Sequence, residues 1–303
     1  MADLSTSLCG VSLKNPIIAA SGTYGFGLDY APLYPPSLLG GISLKGTTLH
    51  PRDGNPPPRI AETPMGVLNS VGLQNPGVDV LIREALPALE GVDTVLIANI
   101  AGSTMEDCAE AVRRLEGTAV DVIELNVSCP NVKDGGIAFG THPATVSQIT
   151  RVVRDATSKP LMVKLSPNVT DITEIAKAAE AAGADAVSLI NTLLGMRIDL
   201  RTRRPILHNN VGGLSGPAVF PVALRMVWQV ARAVSIPVVG MGGISTGADA
   251  LEMILAGACA VQVGTALFRD PWAPRRILDG LNEYLEEQGI PRLADLVGQV
   301  QPW

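Results

Sequence analysis

The chain has 303 residues, of which 47% are hydrophobic and 17% are charged, and its formal net charge is -6. This composition is typical of a folded enzyme, and the acidic balance argues against a nucleic-acid partner because phosphate-backbone binding needs a basic surface. The chain opens with no basic stretch followed by a long apolar run, and no apolar run is long enough to cross a bilayer. We therefore expect a cytoplasmic protein without a membrane partner.

Eight short runs rich in aliphatic and β-branched residues alternate with longer helical patterns. Several of these runs are apolar throughout, as expected for parallel strands that are buried on both faces. In chain order the predicted strands are Pro16–Ala20, Gly41–Leu44, Thr94–Ile100, Val120–Leu125, Leu161–Leu165, Ala186–Ile190, Pro237–Met241 and Ala260–Val263.

Helical patterns separate the strands. They cover Pro76–Leu89, Met105–Leu115, Pro143–Ala156, Ile172–Ala182, Val219–Val234 and Ala248–Ala256. This alternation favours a closed TIM (β/α)8 barrel over an open sheet, and we predict a single domain over residues 1–303. Two stretches without periodicity, Gly46–Asn75 and Thr192–Gly216, follow the second and sixth strands. Loops of that length inside a compact domain are usually functional.

Polar residues close five successive predicted strands. These residues are Lys45, Asn99, Asn126, Lys164, and the pair Asn191 and Thr192. Any one of them is explained by an ordinary polar group at a strand end. Because active sites of such barrels form at the carboxyl ends of the strands, five in succession favour convergence on one polar ligand.

Glycines follow the seventh and eighth predicted strands. The seventh ends in Gly-Met-Gly-Gly-Ile-Ser, residues 240–245, and the eighth ends in Gly264-Thr265. Barrels often bind a ligand phosphate at this place through backbone amides and a helix N-terminus. One Gly-Gly pair would indicate only a tight turn, but two such endings favour a cofactor that carries phosphate.

The four cysteines are scattered, without the Cys-x-x-Cys spacing of a metal or iron–sulfur site. Cys9, Cys108 and Cys259 are interpreted as small buried apolar residues. Cys129 lies in Asn-Val-Ser-Cys-Pro-Asn directly after the fourth strand, where Pro130 disfavours helical geometry and places the thiol in an extended loop. Such a thiol can serve as nucleophile, metal ligand or base. Without companion ligands or an evident histidine partner, the role of general base is favoured.

Several segments, in family order and spanning nearly the whole chain, resemble class 1 dihydroorotate dehydrogenases. They are Ala20-Ser21-Gly22-Thr23, Ser43-Leu44-Lys45-Gly46, Asn69-Ser70-Val71-Gly72-Leu73-Gln74-Asn75, the Asn126–Asn131 segment and the Gly-Met-Gly-Gly-Ile ending. Asn131-Val132-Lys133, Gly135-Gly136 and Phe139-Gly140-Thr141 more closely resemble the class 1B catalytic subunit than the fumarate-using class 1A. The resemblance implies one FMN per chain and oxidation of dihydroorotate to orotate in pyrimidine biosynthesis.

The resemblance also implies roles for individual residues. Positions that match FMN contacts are Ser21, Lys45, Gly46, Asn99, Asn126, Lys164, Ile190, Gly216, Gly242, Gly243, Gly264 and Thr265. Positions that match substrate contacts are Lys45, Asn69, Ser70, Val71, Gly72, Leu73, Asn126, Asn131, Asn191 and Thr192. Asparagine both donates and accepts, which suits a ring with N–H and C=O groups, and a lysine offers the countercharge for a carboxylate.

In the implied reaction, flavin N5 accepts a hydride from C6 of dihydroorotate while the Cys129 thiolate takes the proton from C5. An ordinary thiol has a pKa of about 8.5, so activity should rise with pH unless the site lowers that value. The glycine-rich loop at about residues 130–142 is predicted to be a lid that excludes water from the site.

The class 1B resemblance implies partners as well. These are an electron-transfer subunit with FAD and a [2Fe-2S] cluster, NAD as final acceptor, and a homodimer of this chain at the core of a heterotetramer. The chain has neither a cysteine cluster nor a Gly-x-Gly-x-x-Gly dinucleotide motif, which agrees equally well with class 1A.

Three alternatives stay open. They are a fumarate-dependent class 1A enzyme, another FMN barrel such as a dihydropyrimidine dehydrogenase-like reductase or a tRNA dihydrouridine synthase, and a non-catalytic barrel that binds a phosphate ligand. The acidic balance disfavours tRNA, and Lys45 with Asn131 favours a carboxylated pyrimidine. Cys129 has no obvious purpose in a non-catalytic barrel.

Overall fold

A computed structural model describes residues 2–127 and 139–303. Eight parallel strands close into a barrel in which each strand pairs with its neighbours along the chain and the last pairs with the first. Numbered β1 to β8, they are Ile17–Ala19, Gly41–Ser43, Val95–Ile100, Val122–Asn126, Leu161–Lys164, Ala186–Leu189, Val238–Met241 and Ala260–Val263. The predicted TIM barrel and all eight of its strands are confirmed.

Helices cover the outside of the barrel, as the apolar stripe of each predicted helix requires. They are Val78–Val80, the π-helical turn Leu81–Ala85, Leu86–Ala88, Met105–Leu115, Pro143–Arg154, Ile172–Ala181, Phe220–Ala231, Gly247–Leu255, Ala266–Arg269 and Ala273–Gln288. Short 3₁₀ turns lie at Pro36–Leu38, Phe139–Thr141, Pro217–Val219 and Leu293–Leu296. The helices beyond residue 265 were not predicted. None of the helices within the described ranges is both long and apolar enough to cross a membrane.

The amino-terminal end of the barrel is sealed by a β-hairpin of Thr6–Leu8 and Val11–Leu13. Leu8 and Leu13 are fully buried against the inward-facing side chains of the strands. The Thr6 hydroxyl donates a hydrogen bond of 2.9 Å to the carbonyl of the residue that precedes β8. The lower half of the barrel interior is therefore a closed apolar core.

The two stretches that the sequence presented as non-periodic loops contain strands, which corrects that interpretation. Ile60–Thr63 and Gly66–Asn69 come from the first stretch, and Leu193–Gly195 and Gly212–Ser215 come from the second. Together they form a four-stranded antiparallel sheet, here called the roof sheet. A smaller hairpin, Ile198–Asp199 with Arg204–Pro205, lies between the last two.

The centre of the roof sheet depends on glycine. Gly213 pairs with Asn69, and a Cβ atom at Gly213 would collide with the Thr192 side chain. At the next position, a Cβ on Gly212 would lie 2.6 Å from the Asn69 carbonyl oxygen. Glycine allows these backbones to approach closely, and it also weakens the alternating pattern by which a strand is recognised in sequence.

Candidate active site

A cavity lies at the carboxyl-terminal mouth of the barrel, between the strand ends and the roof sheet. Seventeen of the residues predicted to bind cofactor or substrate line it: Ser21, Lys45, Gly46, Asn69, Val71, Gly72, Leu73, Asn99, Asn126, Lys164, Ile190, Asn191, Thr192, Gly242, Gly243, Gly264 and Thr265. The strand ends and the two stretches that form the roof sheet therefore converge on one space.

Four predicted site residues do not contribute to this described wall. Ser70 is fully buried, and its backbone N–H donates to the Arg59 carbonyl. Gly216 has a φ of 102° and its carbonyl oxygen would lie 2.9 Å from a Cβ on Gly243, which places it directly behind the lining. Cys129 and Asn131, with the lid loop up to residue 138, lie outside the described residues.

Glycine backbone forms the side of the cavity at the carboxyl end of β7. Gly242 and Gly243 have φ values of 120° and 81°, in the region that other residues rarely adopt. A side chain at Gly243 would also meet the Phe220 Cβ at 2.8 Å. After the neighbouring strand β8, the Thr265 hydroxyl donates to the Ser215 hydroxyl at 2.7 Å. This side offers backbone and hydroxyl groups, as a phosphate site requires.

A buried carboxylate below the cavity was missed in the sequence. Glu124, in β4, has no exposed surface. Its Oε2 accepts hydrogen bonds from Ser43 Oγ at 2.7 Å and Asn99 Nδ2 at 2.6 Å. Its Oε1 accepts from Ser188 Oγ at 2.8 Å and Gln262 Nε2 at 2.6 Å. The signal for it was its spacing of two from Asn126, which puts both side chains on the inner face of β4.

Electrostatics keep Glu124 ionised. Burial alone would raise its pKa, but the charge of Lys164 and the hydrogen bonds from Ser43, Asn99 and Gln262 outweigh burial, so the pKa lies below its ordinary value. Lys164 is itself buried and lines the cavity immediately above. The floor of the cavity therefore has an anion beneath a cation.

Two amide oxygens in the same floor have no partner among the described residues. They are Asn99 Oδ1 and Gln262 Oε1, and both atoms are buried. Their NH₂ groups donate to Glu124, so the oxygens lie at the ends of the side chains that face away from this carboxylate, in two residues that line the cavity. Buried acceptors without partners are uncommon in native proteins and indicate a missing donor.

Lys45 stands on the other side of the cavity. Burial and the nearby charge of Arg59 lower the pKa of the Lys45 ammonium below its ordinary value. No carboxylate of the described residues lies within ion-pair distance of Lys45. An anionic ligand would supply the missing countercharge.

None of the other three cysteines lines this cavity. Burial raises the pKa of Cys9, Cys108 and Cys259 to about 12 in each case, so these thiols stay protonated at neutral pH. Cys108 is buried, as predicted, whereas Cys9 and Cys259 are only partly buried, against the lower apolar core. Within the described ranges, no three histidine, cysteine or carboxylate side chains gather into a metal site.

Comparison with known proteins gives a consistent family signal. The family model described as dihydroorotate dehydrogenase matches residues 3–285. The chain is similar to a protein of Halalkalibacterium halodurans, with 55% identity over 98% of both chains. It is also similar to one of Geotalea uraniireducens, with 54% identity over 98% of this chain and 97% of the relative. Both relatives are named dihydroorotate dehydrogenase B (NAD(+)), catalytic subunit.

A solved structure supports the fold. The crystal structure of DHODH from Eimeria tenella in complex with ferulenol matches with a TM-score of 0.82, covering 98% of this chain and 88% of that chain. At 23% sequence identity, this likeness concerns the barrel architecture alone.

Proposed function

The chain belongs to the dihydroorotate dehydrogenase family, and from this premise we propose that FMN and dihydroorotate share the cavity at the barrel mouth, with Cys129 as the base. The family is flavin-dependent, and its reaction is the oxidation of dihydroorotate to orotate in pyrimidine biosynthesis. The chain is therefore an oxidoreductase. When bound, the flavin supplies the hydride acceptor.

The observation that carries the proposal is the polar floor of the cavity. The pyrimidine part of a flavin ring has an N–H group flanked by two carbonyl groups. The unpartnered oxygens of Asn99 and Gln262 are acceptors for an N–H, and the Lys164 ammonium is a donor to carbonyl oxygen. Lys164 is also a cation that favours negative charge on a reduced ring. The residues present fit a flavin.

The glycine side of the cavity is proposed to hold the FMN phosphate. Gly243 and Gly264 keep side chains away from the wall, and the hydroxyls of Thr265 and Ser215, which are hydrogen-bonded to each other, lie in the same wall. Gly216, directly behind Gly243, would support this backbone rather than touch the ligand.

Lys45 is proposed to bind the carboxylate of dihydroorotate. Burial and the nearby charge of Arg59 lower the pKa of Lys45, and an anion beside the ammonium would offset both effects. Asn69 and Asn191 line the same cavity and offer both donors and acceptors to the amide groups of the substrate ring. Asn131 stays a prediction from the sequence.

Cys129 is proposed to take the proton from C5 of the substrate. It follows Asn126, a lining residue, by three positions, and three residues span at most about 11 Å even when fully extended. The sequence thus keeps the thiol within reach of the cavity. We also propose that residues 130–142 form a lid over the site, because this segment directly follows Cys129 in the sequence.

The electron acceptor is proposed from the relatives. Those at 54–55% identity are named as NAD(+)-type catalytic subunits, so we propose that a partner subunit with FAD and a [2Fe-2S] cluster passes electrons from this chain to NAD. A homodimer core within a heterotetramer belongs to the same proposal. The cytoplasmic location stays a prediction.

The base is tested by Cys129→Ala in the FMN-loaded enzyme. We expect flavin absorbance to be kept and dihydroorotate oxidation to fall by about 10²–10⁴-fold, the usual contribution of a general base. Cys129→Ser should retain slight activity at high pH. Cys259→Ala, at the sealed end of the barrel, is the matched control and should turn over normally. Wild-type turnover by Cys129→Ala at neutral pH would refute the assignment.

The acceptor is tested by removing any co-purified subunit. The isolated chain should pass electrons from dihydroorotate to an artificial dye but form no NADH, and adding the partner should restore NADH formation. Efficient NAD reduction by the chain alone would overturn the two-subunit proposal, and rapid turnover with fumarate would favour class 1A. A purified protein without flavin absorbance would favour the non-catalytic barrel.

A further inference from the structure

We propose that Glu124 is a positioning residue that sets the hydrogen-bonding direction of the cavity floor: its carboxylate orients the amides of Asn99 and Gln262 and balances the charge of Lys164. The inference rests on the proposed function because the ligand concerned is the flavin ring. Glu124 does not line the cavity and acts through residues that do.

The orientation follows from what a carboxylate can do. An ionised carboxylate only accepts hydrogen bonds, and both oxygens of Glu124 are occupied by two donors each. Asn99 and Gln262 must therefore turn their NH₂ groups down toward Glu124. Their oxygens then face away from Glu124, and these are two buried acceptors without partners, on residues that line the cavity.

The hydrogen-bond network around Glu124 connects more strands than would be needed to support one strand. Its donors come from β2, β3, β6 and β8, while the carboxylate is on β4. A network that served stability alone would satisfy all of its own polar atoms. Among the described residues, this one leaves two buried acceptors without partners, and both belong to residues that line the cavity. The location of these two acceptors indicates that a hydrogen-bond donor on the ligand satisfies them.

Charge adds a second effect. Lys164 is buried beside the ligand space, and its charge is felt at Glu124. With Glu124 ionised, the charges of Glu124 and Lys164 cancel. The uncharged oxidised ring then does not lie beside a lone cation. Removing the negative charge would leave Lys164 to favour an anionic reduced ring.

The test is Glu124→Gln, which keeps size while removing the charge. A glutamine amide brings its own NH₂ group, so Asn99 or Gln262 has to turn its oxygen inward and present a donor to the cavity. We expect the oxidised FMN to bind the apoprotein about tenfold more weakly. The reduced ring should lose less affinity, and each tenfold difference between the two states raises the two-electron midpoint potential by about 30 mV.

Glu116→Gln is the matched control. Glu116 is also a hydrogen-bonded carboxylate, bound to Thr157 and Ser158 at the opposite end of the barrel. It should alter neither FMN affinity nor potential. A Glu124→Gln enzyme with wild-type affinity and wild-type potential would overturn the inference, as would a lower thermal stability with both flavin readouts unchanged.

A second pair of variants covers the case in which Glu124→Gln fails to fold. Ser43→Ala and Ser188→Ala each remove one donor to Glu124, and neither residue lines the cavity. We expect each variant to shift the flavin potential measurably. If neither variant shifts it, the inference is refuted. If the wild-type apoprotein itself fails to bind FMN, the proposed function fails instead, so the two failures are distinguishable.

Discussion

The lower and upper halves of the barrel interior are built by the same strands and have opposite chemistry. Along five strands, an apolar residue of the lower core is followed two positions later by a polar residue: Ile97 and Asn99, Val122 and Glu124, Met162 and Lys164, Ala186 and Ser188, and Ala260 and Gln262. One pleat repeat, about 7 Å, separates the two layers. Fold stability and ligand chemistry are thus assigned to adjacent layers, not to separate parts of the chain.

The largest effect should come from breaking the charge pair in the upper layer. Lys164→Met leaves the buried Glu124 carboxylate to its hydrogen bonds alone, without the nearby cation, and we expect the free energy of unfolding to fall by about 3–5 kcal/mol. The measurement is urea unfolding of the apoprotein. Combining it with Glu124→Gln should restore part of the loss, whereas additive losses in the double variant would show that the two charges are not coupled.

A substitution in the lower layer should cost stability alone. Leu13→Ala opens a cavity between the hairpin and the barrel strands, and we expect unfolding to become easier by about 3 kcal/mol. FMN affinity and turnover at 25 °C should stay at wild-type values. A change in flavin potential in this variant would contradict the separation of the two layers.

Lys45→Ala should affect binding more than folding. Loss of a charged hydrogen bond to the substrate carboxylate corresponds to about 1.5–3 kcal/mol, so we expect orotate to bind roughly 10–100-fold more weakly, with slower flavin reduction. Stopped-flow titration measures both. Lys14→Ala, which removes a lysine paired with Asp93, is the control and should leave them unchanged. Identical results for the two variants would rule out Lys45 as the anchor.

The smallest expected effect is at Glu116, at the end of the barrel opposite the cavity. Hydrogen bonds from Ser158 and Thr157 lower the pKa of this carboxyl from 4.5 to about 2. A lowered folded-state pKa stabilises the protein above the unfolded-state pKa, and this contribution is lost between about pH 4.5 and 2. Because the group is partly exposed, we expect Glu116→Gln to cost under about 1 kcal/mol at pH 7. The difference should vanish near pH 2 in acid unfolding curves, and a difference that persisted there would contradict this cause.

The barrel could be predicted because each of its strands is a local apolar run bounded by glycine, proline or a polar end. The cavity lining could be predicted because parallel strands bring their carboxyl ends to one mouth. Glu124 escaped notice because a single acidic residue inside Val-Ile-Glu-Leu-Asn has meaning only once strand register is known. The C-terminal helix was predictable, since Ile277, Leu281 and Leu285 recur at helical spacing.

The roof sheet was less accessible to sequence reasoning. Its strands have only three or four residues, and glycine interrupts their alternation. What defines them as strands is pairing between distant segments, as between Asn69 and Gly213. Local patterns carry no information on such pairing.

Because Asn69 and Gly213 are far apart in the sequence, their pairing can form only late in synthesis of the protein. Asn69 leaves the ribosome 144 residues before Gly213, which at about 5–20 residues per second is a delay of roughly 7–30 s. During that interval the hairpin of Ile60–Thr63 and Gly66–Asn69 lacks the strand Gly212–Ser215 that pairs with its other edge. The ligand cavity is therefore completed late in translation, and a nascent chain that stops before residue 212 would lack both the second half of the roof sheet and the ends of β7 and β8.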